Sequence, residues 1–134
     1  MDYTEGEWNG EGIMYWYDEK GAITYKYEGC FANGAKWGYG TMLGYDDSGS
    51  VTYRYRGSYT AGVKSGFGVS EYISSNDNKY VYVGYHKNDA IGAEGAIYAA
   101  DGTKAQSGVF SNGSLDESKD LYEKYPFPSD CIWK

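Results

Sequence analysis

From Tyr25 to Ala32 the chain alternates, with Tyr25, Tyr27, Gly29 and Phe31 interleaved with Lys26, Glu28, Cys30 and Ala32. A period of two places each set on its own face of a β-strand. Asn33-Gly34 follows, a pair suited to the two positive φ angles of a tight hairpin turn, and the chain returns through Trp37 to Tyr45. It turns again at Asp46-Asp47-Ser48-Gly49. The unit therefore reads as two antiparallel strands.

That unit recurs at an offset of 28 residues. Tyr27-Glu28-Gly29, Phe31, Gly34, Gly38 and Gly40 become Tyr55-Arg56-Gly57, Tyr59, Gly62, Gly66 and Gly68. Backwards, the same offset carries Phe31, Gly34, Gly38 and Gly40 onto Tyr3, Gly6, Gly10 and Gly12. The stretches between also match, YDEKGAITYKY at 17–27 with YDDSGSVTYRY at 45–55. A third copy, one residue shorter, keeps Tyr82, Gly84 and Gly95. In it Asp89 replaces the turn glycine, Ala93 replaces Gly66, and His86 stands in an aromatic slot beside Tyr85. A last copy keeps Gly108, Phe110 and Asn112-Gly113, with Gln106 where the others have Tyr. Self-similarity at a fixed period marks a repeat architecture, here about eight short strands in an up-and-down meander from Gly10 to Phe110.

The signature Tyr-x-Gly-x-aromatic-x-x-Gly-x-x-x-Gly-x-Gly, present as YEGCFANGAKWGYG and YRGSYTAGVKSGFG, resembles the MORN (membrane occupation and recognition nexus) repeat over roughly residues 3–113. The resemblance implies an all-β fold, an elongated single-layer antiparallel meander of repeated hairpins with glycines under stacked aromatics along a groove. Such a sheet has little core, so each ring is expected to lie over the Cβ-free backbone of a neighbouring strand. The structural glycines are then Gly29, Gly34, Gly38, Gly40, Gly57, Gly62, Gly66, Gly68, Gly84 and Gly95. Candidate rings for an aromatic binding groove are Tyr27, Phe31, Trp37, Tyr39, Tyr55, Tyr59, Phe67, Tyr82 and Tyr85, within a wider set that includes Tyr25, Tyr53 and Tyr80. Some of these must hold the repeats together and others must face outward.

The pattern stops after Gly113, which divides the chain into repeats over 1–113 and a tail over 114–134. Ser114-Leu115-Asp116-Glu117 has the form of a capping box and predicts a short helix from Leu115 to about Lys124, ended by Pro126. Phe127, Ile132 and Trp133 then supply apolar anchors. Helix and tail are expected to cap the last hairpin or lie along the groove, covering an open edge, with a docking role for the tail as the alternative.

Composition supports a sheet with a half-polar surface. The 134 residues include 20 Gly, 17 Tyr and 4 Trp, and Tyr favours strands while carrying an apolar body with a polar tip. The 12 basic against 19 acidic residues give a net charge of −7, which repels nucleic acid and disfavours anionic membranes. Lys26, Lys36, Arg54, Arg56 and Lys64 recur in register as a candidate local basic strip. The N-terminal residues carry no signal-peptide pattern and Cys30 and Cys131 no metal or redox spacing, which together lead to the expectation of a cytoplasmic protein.

No catalytic constellation emerges. His86 is the one histidine and occupies an aromatic slot in the repeat; Cys30 is an isolated thiol. The acids Asp18, Glu19, Asp46, Asp47, Asp77 and Asp101 sit at turns, where Asp is favoured for local hydrogen bonding, and follow no calcium-loop order. The glycines lead from strand to strand and so do not form a phosphate loop, which needs a following helix. No metal or cofactor is expected. The expected function is a non-catalytic scaffold or protein-interaction module, binding a protein partner or itself through the groove or edge strands. The alternative is a small soluble protein that captures a nucleotide-like or sugar ligand on its Tyr/Trp groove.

Overall fold

The computed structural model describes residues 2–4 and 7–133, with side chains from Asn9 onward. Gly6 lies outside the described residues, and of Tyr3 only the backbone is described. Ten strands are described: β1 (Asp2–Thr4), β2 (Glu7–Tyr17), β3 (Ile23–Ala32), β4 (Ala35–Tyr45), β5 (Val51–Thr60), β6 (Val63–Ile73), β7 (Lys79–Lys87), β8 (Ala90–Ala99), β9 (Lys104–Ser111) and β10 (Ser114–Ser118). Their order in the sheet is their order in the chain, each antiparallel to the next. The meander is the one the repeat implies.

Both kinds of turn recur with the repeat. At one end Asn33-Gly34, Ala61-Gly62, Asn88-Asp89 and Asn112-Gly113 each hold two successive positive φ angles, the requirement of a two-residue hairpin turn. Asp89 keeps a φ of 71° although it is not glycine, and its carboxylate accepts the Lys64 amide at 2.8 Å. The last three of these tips lean on the hairpin before them: the Gly62, Asp89 and Gly113 amides donate to the carbonyls of Lys36, Lys64 and Ile91. At the other end the Asp18 and Asp46 carboxylates each accept two amides of their own turn.

Register places eight glycines side by side on eight strands. Gly12, Gly29, Gly40, Gly57, Gly68, Gly84, Gly95 and Gly108 pair in succession from β2 to β9. Tyr27, Tyr55 and Tyr82 lie down across this row, their hydroxyls donating to the carbonyls of Cys30, Ser58 and Tyr85 at 2.7–2.8 Å. A Cβ at Gly40, Gly68 or Gly95 would lie within 2.5 Å of ring atoms of Tyr27, Tyr55 or Tyr82. Rings thus lie over bare backbone along this row, whereas Gly38 and Gly66 face Cys30 Cβ and Ser58 Cβ and Gly62 faces open space.

On the far side of the glycine row stand Phe31, Tyr59, His86 and Phe110. With the three tyrosines they form one edge-to-face spine, Phe31–Tyr27–Tyr59–Tyr55–His86–Tyr82–Phe110, with centroids 4.8–5.6 Å apart and interplanar angles of 78–90°. All seven rings are buried. Each such contact adds about 0.5–1.5 kcal/mol beyond area burial, which gives a single-layer sheet a continuous internal seam.

The expected C-terminal helix is absent. Asn112-Gly113 is the repeat's own hairpin turn, so Ser114–Ser118 returns as β10 beside β9, with Leu115 opposite Phe110. Leu115 packs against the Tyr82, Ile97 and Phe110 cluster, a contact that pairing with β9 supplies and that outweighs the capping box. Of the helical pattern only one turn survives, where the Tyr125 amide donates to the Leu121 carbonyl at 3.0 Å. Beyond β10 the tail crosses the sheet face opposite the spine. There Leu121, Tyr122, Tyr125, Phe127, Cys131 and Trp133 cover Val69, Val81, Val83, Ala96 and Tyr98. The tail therefore builds a second core on the back of β6–β9 and leaves the spine face uncovered.

Candidate functional site

The candidate rings divide into three groups. Tyr27, Phe31, Tyr55, Tyr59 and Tyr82 are 0–4 % exposed and belong to the spine. Tyr39, Phe67 and Tyr85 are exposed, but they alternate with the glycine row and so emerge on the back face. Phe67 and Tyr85 meet there with centroids 6.0 Å apart, and each lies 6.3 Å from the Tyr125 ring of the tail. Trp37 is also exposed, next to the strand position of Lys36. The nine rings thus do not converge on one groove.

A groove is present on the spine face, and of the nine candidate rings Tyr59 lines it. Trp16, Tyr25, Lys36, Met42, Tyr53, Tyr59, Lys64 and Asp89 surround a cavity of about 580 Å³. Trp16 on β2 pairs with Tyr25 on β3, Tyr25 with Gly44 on β4, and Gly44 with Tyr53 on β5. They form the next row out from the buried tyrosines. Gly44 gives room to both neighbours, since a Cβ there would stand 3.2 Å from Tyr25 Cε1 and from Tyr53 Cβ. Trp16 and Tyr25 remain 36 % and 48 % exposed, an apolar rim open to solvent.

Two lysines at matching repeat positions enter from the hairpin-tip side. Lys36 Nζ lies 5.3 Å from the Tyr59 ring centroid, 5.6 Å from that of Trp16 and 6.0 Å from that of Tyr27. Lys64 Nζ lies 5.3 Å from the Tyr53 centroid and 5.4 Å from that of Tyr55, and donates to the Tyr53 hydroxyl at 2.8 Å. Ring faces attract ammonium groups. Burial nevertheless pulls both lysines below the ordinary ammonium range, while the Asp89 carboxylate works in the opposite sense. Lys36 adds a further downward push on Lys64.

The five basic residues expected to form one strip lie on two faces. Lys26, Arg54 and Arg56 point to the back, where Arg54 donates to both oxygens of the fully buried Glu71, at 2.5 and 3.0 Å. Arg56 pairs with Asp130 of the tail. Of the five, Lys36 and Lys64 line the groove. Trp16 lies outside the set of candidate rings that the sequence suggests, and Tyr25 and Tyr53 belong only to its wider form. Their signal is the repeated YKY and YRY of Tyr25–Tyr27 and Tyr53–Tyr55, in which the first tyrosine of each pair lies one row further from the glycines.

His86 is buried in the spine, its Nε2 and the Ser70 hydroxyl 2.8 Å apart. Burial first, then Lys64, lowers its pKa to about 4, so it stays neutral near pH 7. The hydroxyl of Tyr27 is pushed up to about 12, chiefly by burial. Among the described residues no group of three or more His, Cys, Asp or Glu side chains is placed to hold a metal ion. The groove offers apolar rings, hydroxyls and two ammonium groups, an arrangement suited to holding a ligand.

The family model of the MORN repeat matches residues 2–19, 27–49 and 55–76. No curated protein matches the chain.

Proposed function

The chain belongs to the MORN repeat family, whose members are generally protein- or membrane-interaction modules, and from that premise we propose that it is a non-catalytic binding module whose ligand-holding surface is the groove of the spine face. The observation that carries this is the division of labour among the rings. Seven aromatic side chains are consumed by the seam, while Trp16, Tyr25 and Tyr53 line an open cavity that the tail does not cover. Exposed Tyr and Trp beside fixed charges are the usual anchors of protein recognition. A groove with an exposed rim fits an extended peptide segment better than a small molecule, which is ordinarily engulfed.

The test is a selection of peptides from a random library on the full-length chain, followed by titration of the enriched peptides. Replacing Trp16 and Tyr25 together by Ala is expected to weaken them about tenfold or more, while Tyr15→Ala with Tyr39→Ala on the back face is expected to change little. Peptides that bind both variants as they bind the wild type contradict the groove assignment.

A further inference from the structure

The groove also carries a charge pattern that narrows its ligand. Its lining holds two ammonium groups and one carboxylate; one oxygen of that carboxylate, Asp89, accepts the Lys64 amide at 2.8 Å, and its charge acts on both lysines, so the lining keeps an excess of one positive charge. A chain of net charge −7 thus concentrates positive charge in an aromatic hollow on this face of β2–β6. The third copy breaks the pattern, because Ile91 occupies the position equivalent to Lys64. The lysine pair is therefore confined to the hairpins of β3–β4 and β5–β6, beside the rim of Trp16 on β2 and Tyr25 on β3.

We propose that the groove takes an acidic segment of a protein partner, seating an Asp or Glu carboxylate between the Lys36 and Lys64 ammonium groups, with an apolar neighbour of that acid against Trp16, Tyr25 and Met42. This rests on the groove being the binding surface. The two ammonium groups are held half-buried over rings, and burial disfavours their charge more than the single Asp89 carboxylate restores it, so an incoming carboxylate between them supplies a second counter-charge to both. Rings of Tyr53, Tyr55 and Tyr59 behind them limit access by water, and a charge-assisted contact gains strength where water is excluded. A planar bilayer is a poorer fit. The ammonium groups sit below the exposed rim, and the chain's net negative charge opposes approach to an anionic surface over a Debye length.

The test uses the full-length chain and a peptide enriched from the random library. An acid at a fixed position is expected among the enriched sequences. Changing that acid to its amide in the synthetic peptide is expected to weaken binding to the wild type about tenfold and to have little effect on the Lys36→Gln, Lys64→Gln double variant. Lys36→Arg with Lys64→Arg is expected to retain most of the affinity. Salt probes the same contact on the wild-type chain without any variant: added NaCl should weaken the acidic peptide more than its amide form. Peptides that depend on Trp16 and Tyr25 but show no acid preference and no difference in salt response overturn this inference and leave the groove reading standing. Peptides indifferent to Trp16 and Tyr25, or no enrichment at all, overturn both. Lysine-dependent co-flotation with phosphatidylserine vesicles, absent with phosphatidylcholine, overturns the inference in favour of a lipid ligand.

Discussion

Gly57 lies where two strands and a tyrosine ring leave no room for a side chain. A Cβ there would stand 2.5 Å from the Gly68 Cα and 2.6 Å from the Tyr55 hydroxyl, both held by the sheet with no flexible end to move aside. Gly57→Val is therefore expected to cost roughly 3 kcal/mol or more. Asp47→Ser, at an exposed turn, should stay within about 0.5 kcal/mol; paired thermal melts check the contrast, and equal melting temperatures would remove the stacking account. His86 makes a pH-dependent version of the same point. Its folded pKa of about 4 lies below the ordinary value of 6.5, so the unfolded chain binds the proton first. The stability that neutral His86 supports is whole above pH 6.5 and declines as pH falls towards 4, to a loss of about 3 kcal/mol. Lys64 and Asp89, the charged groups that act on it, remain in a His86→Phe variant. That variant should lose less stability than the wild type between pH 6.5 and 4 in urea titrations, and parallel losses would contradict the assignment.

Among elements, the tail shows what local pattern conveys and what it does not. Strands and turns are legible in the sequence because period-two alternation marks the strands and the 28-residue offset between copies repeats both strands and turns. The offset relates Gly29 to Gly57 and Gly40 to Gly68, while the placing of Gly29 beside Gly40 and of Gly40 beside Gly57 comes from strand pairing. Ser114-Leu115-Asp116-Glu117 misleads because a capping box is a local signal, whereas the unpaired edge of β9 and the cluster around Phe110 act from outside that window. The tail's destination is hidden for another reason. Tyr125, Cys131 and Trp133 follow no period, so nothing in their spacing says which face they cover.

What fixes the tail is polar as well as apolar. Glu71 is fully buried, receives Arg54 and also accepts the Ile132 amide at 2.7 Å. Trp133 Nε1 donates to the Tyr80 carbonyl at 3.1 Å. Glu71→Ala strands the Arg54 charge beside the tail and is expected to cost about 3 kcal/mol, measured by urea unfolding. Removing residues 120–134 bares Val81, Val83, Ala96 and Tyr98 and should lower the melting temperature or cause aggregation. A truncated chain that melts like the intact one would show that the tail is dispensable to the fold.

For the molecule as a whole, two faces of one sheet have been given different work. The back of β6–β9 is closed by the tail and builds a conventional core. The opposite face keeps its seam buried through a row of glycines and leaves the next row of rings open beside Lys36 and Lys64. Aromatic abundance alone does not separate these fates, because a buried tyrosine such as Tyr27 and an open one such as Tyr25 occupy the same face two residues apart. Distance from the glycine row separates them, and that needs the register of adjacent strands. The most direct measurement of this account places a photo-crosslinking phenylalanine at Tyr25 or at Tyr39 in the full-length chain and exposes each to a library-selected peptide. Crosslinking from position 25 with little from position 39 is the expected result; equal or greater yield from position 39 would assign binding to the back face and contradict the account.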